Sequence, residues 1–232
     1  MDGLLRTRFR ALWSRTVGGD AAEAAWRTLD AGYGAGMRHY HGWKHIADLL
    51  AGHDAVRNLP EFVDLDHDAL DLAIVFHDAI YETDRTDNEA RSADLFTTHA
   101  APAGESERLR SVDAMIRATA THGPSPDPAT RLMHDLDLAV LGAPHSTYAA
   151  YKAAIRREYG AVSESAWRLG RANVLGRFLA RPRLYQTDHF HDRLEASARV
   201  NLTAEMDMEK PPLINSSSFA SSSRIRPRSE TL

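Results

Sequence analysis

The chain has 232 residues, a formal net charge of −4, no cysteine and twelve histidines. That length suits one domain with room for a tail, and 43% hydrophobic content is ample for a core. The missing cysteine excludes disulfides, thiolate ligands and a cysteine nucleophile, and the missing basic surplus argues against a nucleic-acid partner.

The first fifteen residues are amphipathic and rich in arginine, without the apolar centre of a signal peptide. No run of about 18 apolar residues suggests a membrane span. A cytoplasmic protein with no membrane partner is the default expectation, and nothing in the sequence speaks to oligomeric state.

The periodicity predicts an all-α chain, without alternating strand patterns or internal repeats. Leu5, Phe9, Leu12 and Trp13 make a helical stripe over residues 4–16. Asp20 can cap a second helix reaching Tyr33, broken by Gly32, Gly34 and Gly36. A third is expected over 39–58, and a fourth opens at Asp66 or His67 and ends near Tyr81. Residues 82–87 read as a loop, with Asp87 as cap of a helix over 88–98. Helices follow near 105–121, 129–141, 146–159, 164–179 and 187–206, the first of these closed by the proline-rich break at 123–128. One domain is expected over 1–208. Residues 209–232, rich in Ser, Pro and Arg, read as a disordered tail.

The fourth predicted helix carries the most specific signal. Its run Leu72-Ala73-Ile74-Val75-Phe76-His77-Asp78-Ala79-Ile80 is apolar on nearly every side and belongs in the core. An imidazole beside a carboxylate is costly there unless both are paired, and a metal ion is the strongest pairing. Candidate partners stand on both sides: His41 and His45 upstream, four apart and so on one helix face, and His122, Asp135 and Asp137 downstream. Gly42 follows His41 where a zinc-protease helix needs Glu, which argues against that mechanism. A nucleophile elbow, a phosphate-binding loop and a dinucleotide fingerprint are all missing. Asp135 and Asp137 point differently on a helix, so one can ligate while the other orients a ligand. His122 reads as a second-metal ligand or as the acid for a leaving oxygen.

In this order the stretches Arg38-His39-Tyr40-His41-Gly42-Trp43-Lys44-His45, Phe76-His77-Asp78-Ala79-Ile80-Tyr81 with Asp87-Asn88-Glu89, and Asp135-Leu136-Asp137-Leu138 resemble the HD superfamily of metal-dependent phosphohydrolases. The resemblance runs from about residue 5 to 205, with weaker matches at 155–159 and 195–202. It implies an all-helical HD bundle with a buried metal site. It implies His45, His77, Asp78 and Asp137 as ligands, with Asp135 close behind as the fourth and His41 as a second-metal ligand or phosphate contact. Several members carry Glu three residues after the doublet's Asp. Here Tyr81 stands there, which leaves Glu82, Asp84 or Glu89 for acid–base work.

The implied chemistry is hydrolysis of a small phosphorylated substrate, a nucleotide among the candidates, by water activated on a divalent ion (Mn, Fe, Co, Ni, Zn or Mg). Asp78, His122 and Glu89 are the expected catalytic groups. Arg38, Lys44 and Arg156 are the expected phosphate clamps. Two alternatives are a non-catalytic phosphate-ligand binder on the same scaffold and a di-iron oxygenase. A turnover assay separates the first, and oxygen consumption the second.

Overall fold

A computed structural model describes residues 2–19 and 21–209, and every regular element among them is helical. Ten α-helices run in order: α1 (Asp2–Thr16), α2 (Ala22–Tyr33), α3 (Trp43–Val56), α4 (His67–Phe76), α5 (Asn88–Ala100), α6 (Glu107–Ala118), α7 (Pro128–Leu138), α8 (His145–Glu158), α9 (Glu164–Leu179) and α10 (Asp188–Glu209). Short 3₁₀ turns follow α5 and α7. Among the described residues no helix is long and apolar enough to cross a membrane. The cap expected at Asp20 and the tail beyond residue 209 lie outside the described residues.

Helix α4 is the axis of the fold. Every residue from Ala69 to Phe76 is buried, as an all-round apolar helix requires. Around it pack α1, α3, α5, α6 and α7. Helix α1 supplies Phe9, Leu12 and Trp13, and Phe9 and Trp13 meet Phe76 with ring centroids 6.2 and 6.1 Å apart. Side-chain caps set several starts. Asp66, Ser106, Asp127 and Ser163 each accept from the backbone N–H three residues on, and Pro128 occupies the first turn of α7, where no N–H is needed.

Asp71 is the one acidic residue within that buried run. Its carboxylate accepts from Arg8 of α1 at 2.9 Å and lies 2.7 Å from Nδ1 of His53 on α3. Three helices are thereby tied at one buried point. Burial alone would raise its pKa, but His53 and Arg8 hold it below the ordinary carboxylate value.

Several boundaries differ from the sequence expectations, each for a local reason. Helix α3 starts at Trp43, not residue 39, because Gly42 is extended and begins it. His41 therefore precedes the helix and does not share a face with His45. Helix α4 ends at Phe76, so His77 and Asp78 occupy the turn after it. Gly32 does not break α2 but lies within it. A Cβ there would sit 2.7 Å from the Ala79 carbonyl oxygen, so glycine lets α2 press against the His77-Asp78-Ala79 turn. Asp87 makes no side-chain cap and instead pairs with Arg85 at 2.6 Å.

Candidate metal centre

Three helices deliver the site. The first turn of α3 brings His45, the turn after α4 brings His77 and Asp78, and the last turn of α7 brings Asp137. His45 Nε2 lies 3.4 Å from His77 Nε2 and 3.1 Å from Asp137 Oδ1. Asp78 Oδ2 lies 3.0 Å from His77 Nε2 and 3.6 Å from His45 Nε2. The two imidazoles are 2% exposed, the carboxylates 13% and 15%, so the cluster opens on its acidic side.

His45, His77 and Asp137 form a group that could hold a metal ion, and Asp78 stands beside them. Their separations of 3.1, 3.4 and 3.7 Å are close to the roughly 3.0–3.4 Å that donors about 2.1 Å from one ion keep along the edges of a tetrahedron or octahedron. The protonation pattern suits it as well. His77 Nδ1 donates to the Ile74 carbonyl at 2.9 Å, so in the neutral ring Nε2 is the nitrogen left to bind an ion. Carboxylates this buried beside two imidazoles are costly unless balanced by positive charge, on protons or on an ion. Burial alone would lower the His77 pKa, but the Asp78 and Asp137 carboxylates raise it well above its ordinary value. Burial would raise the pKa of Asp78 and Asp137, but His77, with His41 at Asp78 and with His122 and His45 at Asp137, holds both well below the carboxylate range.

A ring of supporting contacts fixes these groups. His122 Nε2 bonds the other oxygen of Asp137, Oδ2, at 2.7 Å. The His122 backbone is left-handed, φ 47°, the only such non-glycine residue among those described, and Arg181 clamps the carbonyls of His122 and Thr121 at 2.8 and 2.7 Å. His41 Nδ1 lies 2.6 Å from Glu158 Oε2, whose other oxygen accepts from the backbone N–H groups of Tyr40 and His41. Glu158 is buried, and these donors hold its pKa below the usual range although burial opposes it. The Tyr81 ring stacks on His41 with centroids 3.9 Å apart.

The remaining candidates go elsewhere. Asp135 is fully buried and spends both oxygens on the start of α10, accepting from Gln186 N, Thr187 N and the Thr187 hydroxyl, each at 2.7 Å. Burial pushes its pKa up despite these donors. Arg38 is no free clamp. Its guanidinium holds the doublet turn through the carbonyls of Asp78 (2.6 Å) and Ala79 (2.9 Å). Arg156 closes the end of α8 on the carbonyls of Tyr159 and Val162 and on Glu164. Glu82 pairs outward with Arg91, Asp84 is exposed, and Glu89, in the first turn of α5, makes no hydrogen bond or ion pair with a described residue. Lys44 pairs with Asp48 on the exposed lip of the site.

Two residues escaped the sequence reading of chemistry. Glu158 continues the buried stripe of Tyr148, Ala154 and Ile155 on α8; a carboxylate on an apolar face was the available signal. Arg157, one residue past Arg156, points the other way and lines a cavity of about 500 Å³ that reaches His45 and Asp137.

Comparison of the chain with protein-family models, with curated proteins and with solved structures finds no match.

Proposed function

We propose that this chain is a metal-dependent phosphohydrolase of the HD type that cleaves a phosphoester with water. The observation that carries the reading is the convergence of His45, His77 and Asp137 from three parts of the fold at separations of 3.1, 3.4 and 3.7 Å, with Asp78 against His77 at 3.0 Å. A divalent ion held by His45, His77 and Asp137, with Asp78 beside it, would act as a Lewis acid, making water a better nucleophile and neutralising phosphate charge.

The chain's own residues do the rest. Asp78 keeps its Oδ1 without a partner among the described residues, so it can take the proton that the attacking water gives up. The water oxygen forms the new bond to phosphorus. The ester P–O bond breaks with its electron pair on the leaving oxygen, which needs a proton. His41 would give it, the 2.6 Å contact of its Nδ1 with Glu158 leaving Nε2 for the proton transfer. Glu158 thereby supplies the carboxylate that Tyr81 does not. His122 bears on Asp137 and is a positioning residue.

The test is a phosphomonoester and phosphodiester screen with full-length protein loaded in turn with Mn, Co, Ni, Zn and Mg, with Asp78→Ala as control. Turnover that needs both metal and Asp78 supports the reading. Metal-dependent phosphate binding without turnover of any ester would make the chain a binder instead.

A further inference from the structure

The cavity beside the cluster has a polar end and a long apolar remainder. At the polar end stand His45 and Asp137, with Lys44 and Arg157 at the rim. These belong together in space because Glu158, next to Arg157, is bonded to the backbone of Tyr40 and His41, just ahead of Lys44. From there the walls run along α3, α7, α8 and α10 and are apolar: Leu49, Leu136, Val140, Ala150, Ala154 and Phe190. Helix α8 turns small side chains to the space at positions 150 and 154, where larger ones would fill it. A volume of about 500 Å³ lies within the roughly 300–1,000 Å³ of small-molecule sites.

The polar groups are unevenly shared. Arg157 is exposed and makes no hydrogen bond or ion pair with a described residue, so its planar guanidinium is available for a phosphoryl group. The other hydrogen-bonding side chains of the lining are His39, Tyr40, Asp48, Thr147 and Tyr151, of which Asp48 is paired with Lys44 at 2.6 Å and Tyr151 accepts from Arg171 at 3.4 Å. A nucleobase or sugar laid against Leu49, Leu136, Val140, Ala150, Ala154 and Phe190 would find no side-chain partner on that wall for its donors and acceptors, which is costly. An alkyl or aryl group would lose nothing and would bury apolar surface on both sides.

We infer that the substrate is a phosphomonoester of an apolar alcohol or phenol, its phosphoryl group between the His45–Asp137 cluster and Arg157, its alkyl or aryl group in the trough of α3, α7 and α8. This rests on the phosphohydrolase reading. It adds that the organic half is recognised by burial and not by hydrogen bonds. Hydrolysis then releases inorganic phosphate and the free alcohol, the leaving oxygen taking its proton from His41.

The experiment is calorimetric binding to the full-length, Mn²⁺-loaded protein of three non-hydrolysable or slow probes, methylphosphonate, octylphosphonate and adenosine monophosphate, together with 1-naphthol. Octylphosphonate is expected to bind at least tenfold tighter than methylphosphonate and tighter than adenosine monophosphate. Ala150→Trp, at an exposed lining position, should remove the octyl advantage while methylphosphonate binding stays. Arg157→Gln should weaken both phosphonates by the same factor. Equal binding of the methyl and octyl probes, or preference for adenosine monophosphate, overturns the inference and leaves the phosphohydrolase reading standing. If no phosphonate binds while 1-naphthol binds wild type and not Ala150→Trp, the apolar trough stands and the phosphohydrolase reading falls. If no probe binds, both fall.

Discussion

His122 holds one oxygen of Asp137 at 2.7 Å while the carboxylate's other oxygen faces His45 at 3.1 Å. One carboxylate thus joins the supporting contacts to the proposed ligand set. The left-handed φ of 47° at His122 is what the chain accepts to make that bond, since such a conformation in a non-glycine residue costs of order 1–3 kcal/mol.

The strain at His122 is separable from its contact. His122→Ala and His122→Gly both remove the bond to Asp137 and should lower metal affinity by roughly 10–100-fold. Only Gly relieves the backbone. The Gly variant should therefore be more stable than the Ala variant by about 1 kcal/mol in denaturant melts. Equal stabilities would show that the conformation is not strained.

Gly32 should be sensitive although it has no side chain to contribute. A Cβ there would meet the Ala79 carbonyl at 2.7 Å. That carbonyl belongs to the turn carrying His77 and Asp78, and backbone yields poorly. Gly32→Ala should cost about 1–3 kcal/mol and weaken metal binding in the folded fraction. If stability and metal affinity both match wild type, α2 does not set the position of that turn.

Acid should unfasten the junction of α1, α3 and α4. The Asp71 pKa is held below its unfolded value of about 3.9. A depressed carboxylate pKa contributes stability that is present above the unfolded value and lost as pH falls through the folded one. Asp71→Asn should thus be destabilised relative to wild type by about 3 kcal/mol at pH 7, with the gap narrowing below about pH 4. A gap independent of pH down to acid unfolding would remove Asp71 from that role.

The neighbouring arginines of α8 should part in effect. Arg157→Gln should lower kcat/KM by about tenfold through lost phosphate contact with an unchanged melt. Arg156→Gln should lower stability and leave KM alone, because Arg156 is bound to Tyr159, Val162 and Glu164. The reverse pattern would restore Arg156 as the clamp.

Local pattern marked α4 as a buried helix, though not its end at Phe76, and picked out the three stretches whose His45, His77 and Asp137 the fold brings together. Apolar periodicity marks a core helix without reference to the rest of the chain, and a charged pair at its end has few explanations. Three kinds of information were out of reach. The choice between Asp135 and Asp137 depends on α10, whose start arrives on Asp135 from about fifty residues downstream. The choice between Arg156 and Arg157 depends on a rotation of about 100° on α8, which only tertiary packing reads out. The helical face expected for His41 and His45 was lost to the extended backbone of Gly42. That loss let Glu158 take hold of His41 from another helix.

The most direct measurement is a Mn²⁺ titration, by calorimetry, of wild type, Asp137→Asn and Asp135→Asn. Asp137 lies 3.1 Å from His45, whereas Asp135 is committed to Gln186 and Thr187. Wild type should bind an ion. Asp137→Asn should lose most of that affinity while remaining folded, and Asp135→Asn, though less stable, should keep it within a few-fold. A wild-type chain that takes up no ion, or an Asp137→Asn chain that binds as wild type does, would contradict the proposed metal centre.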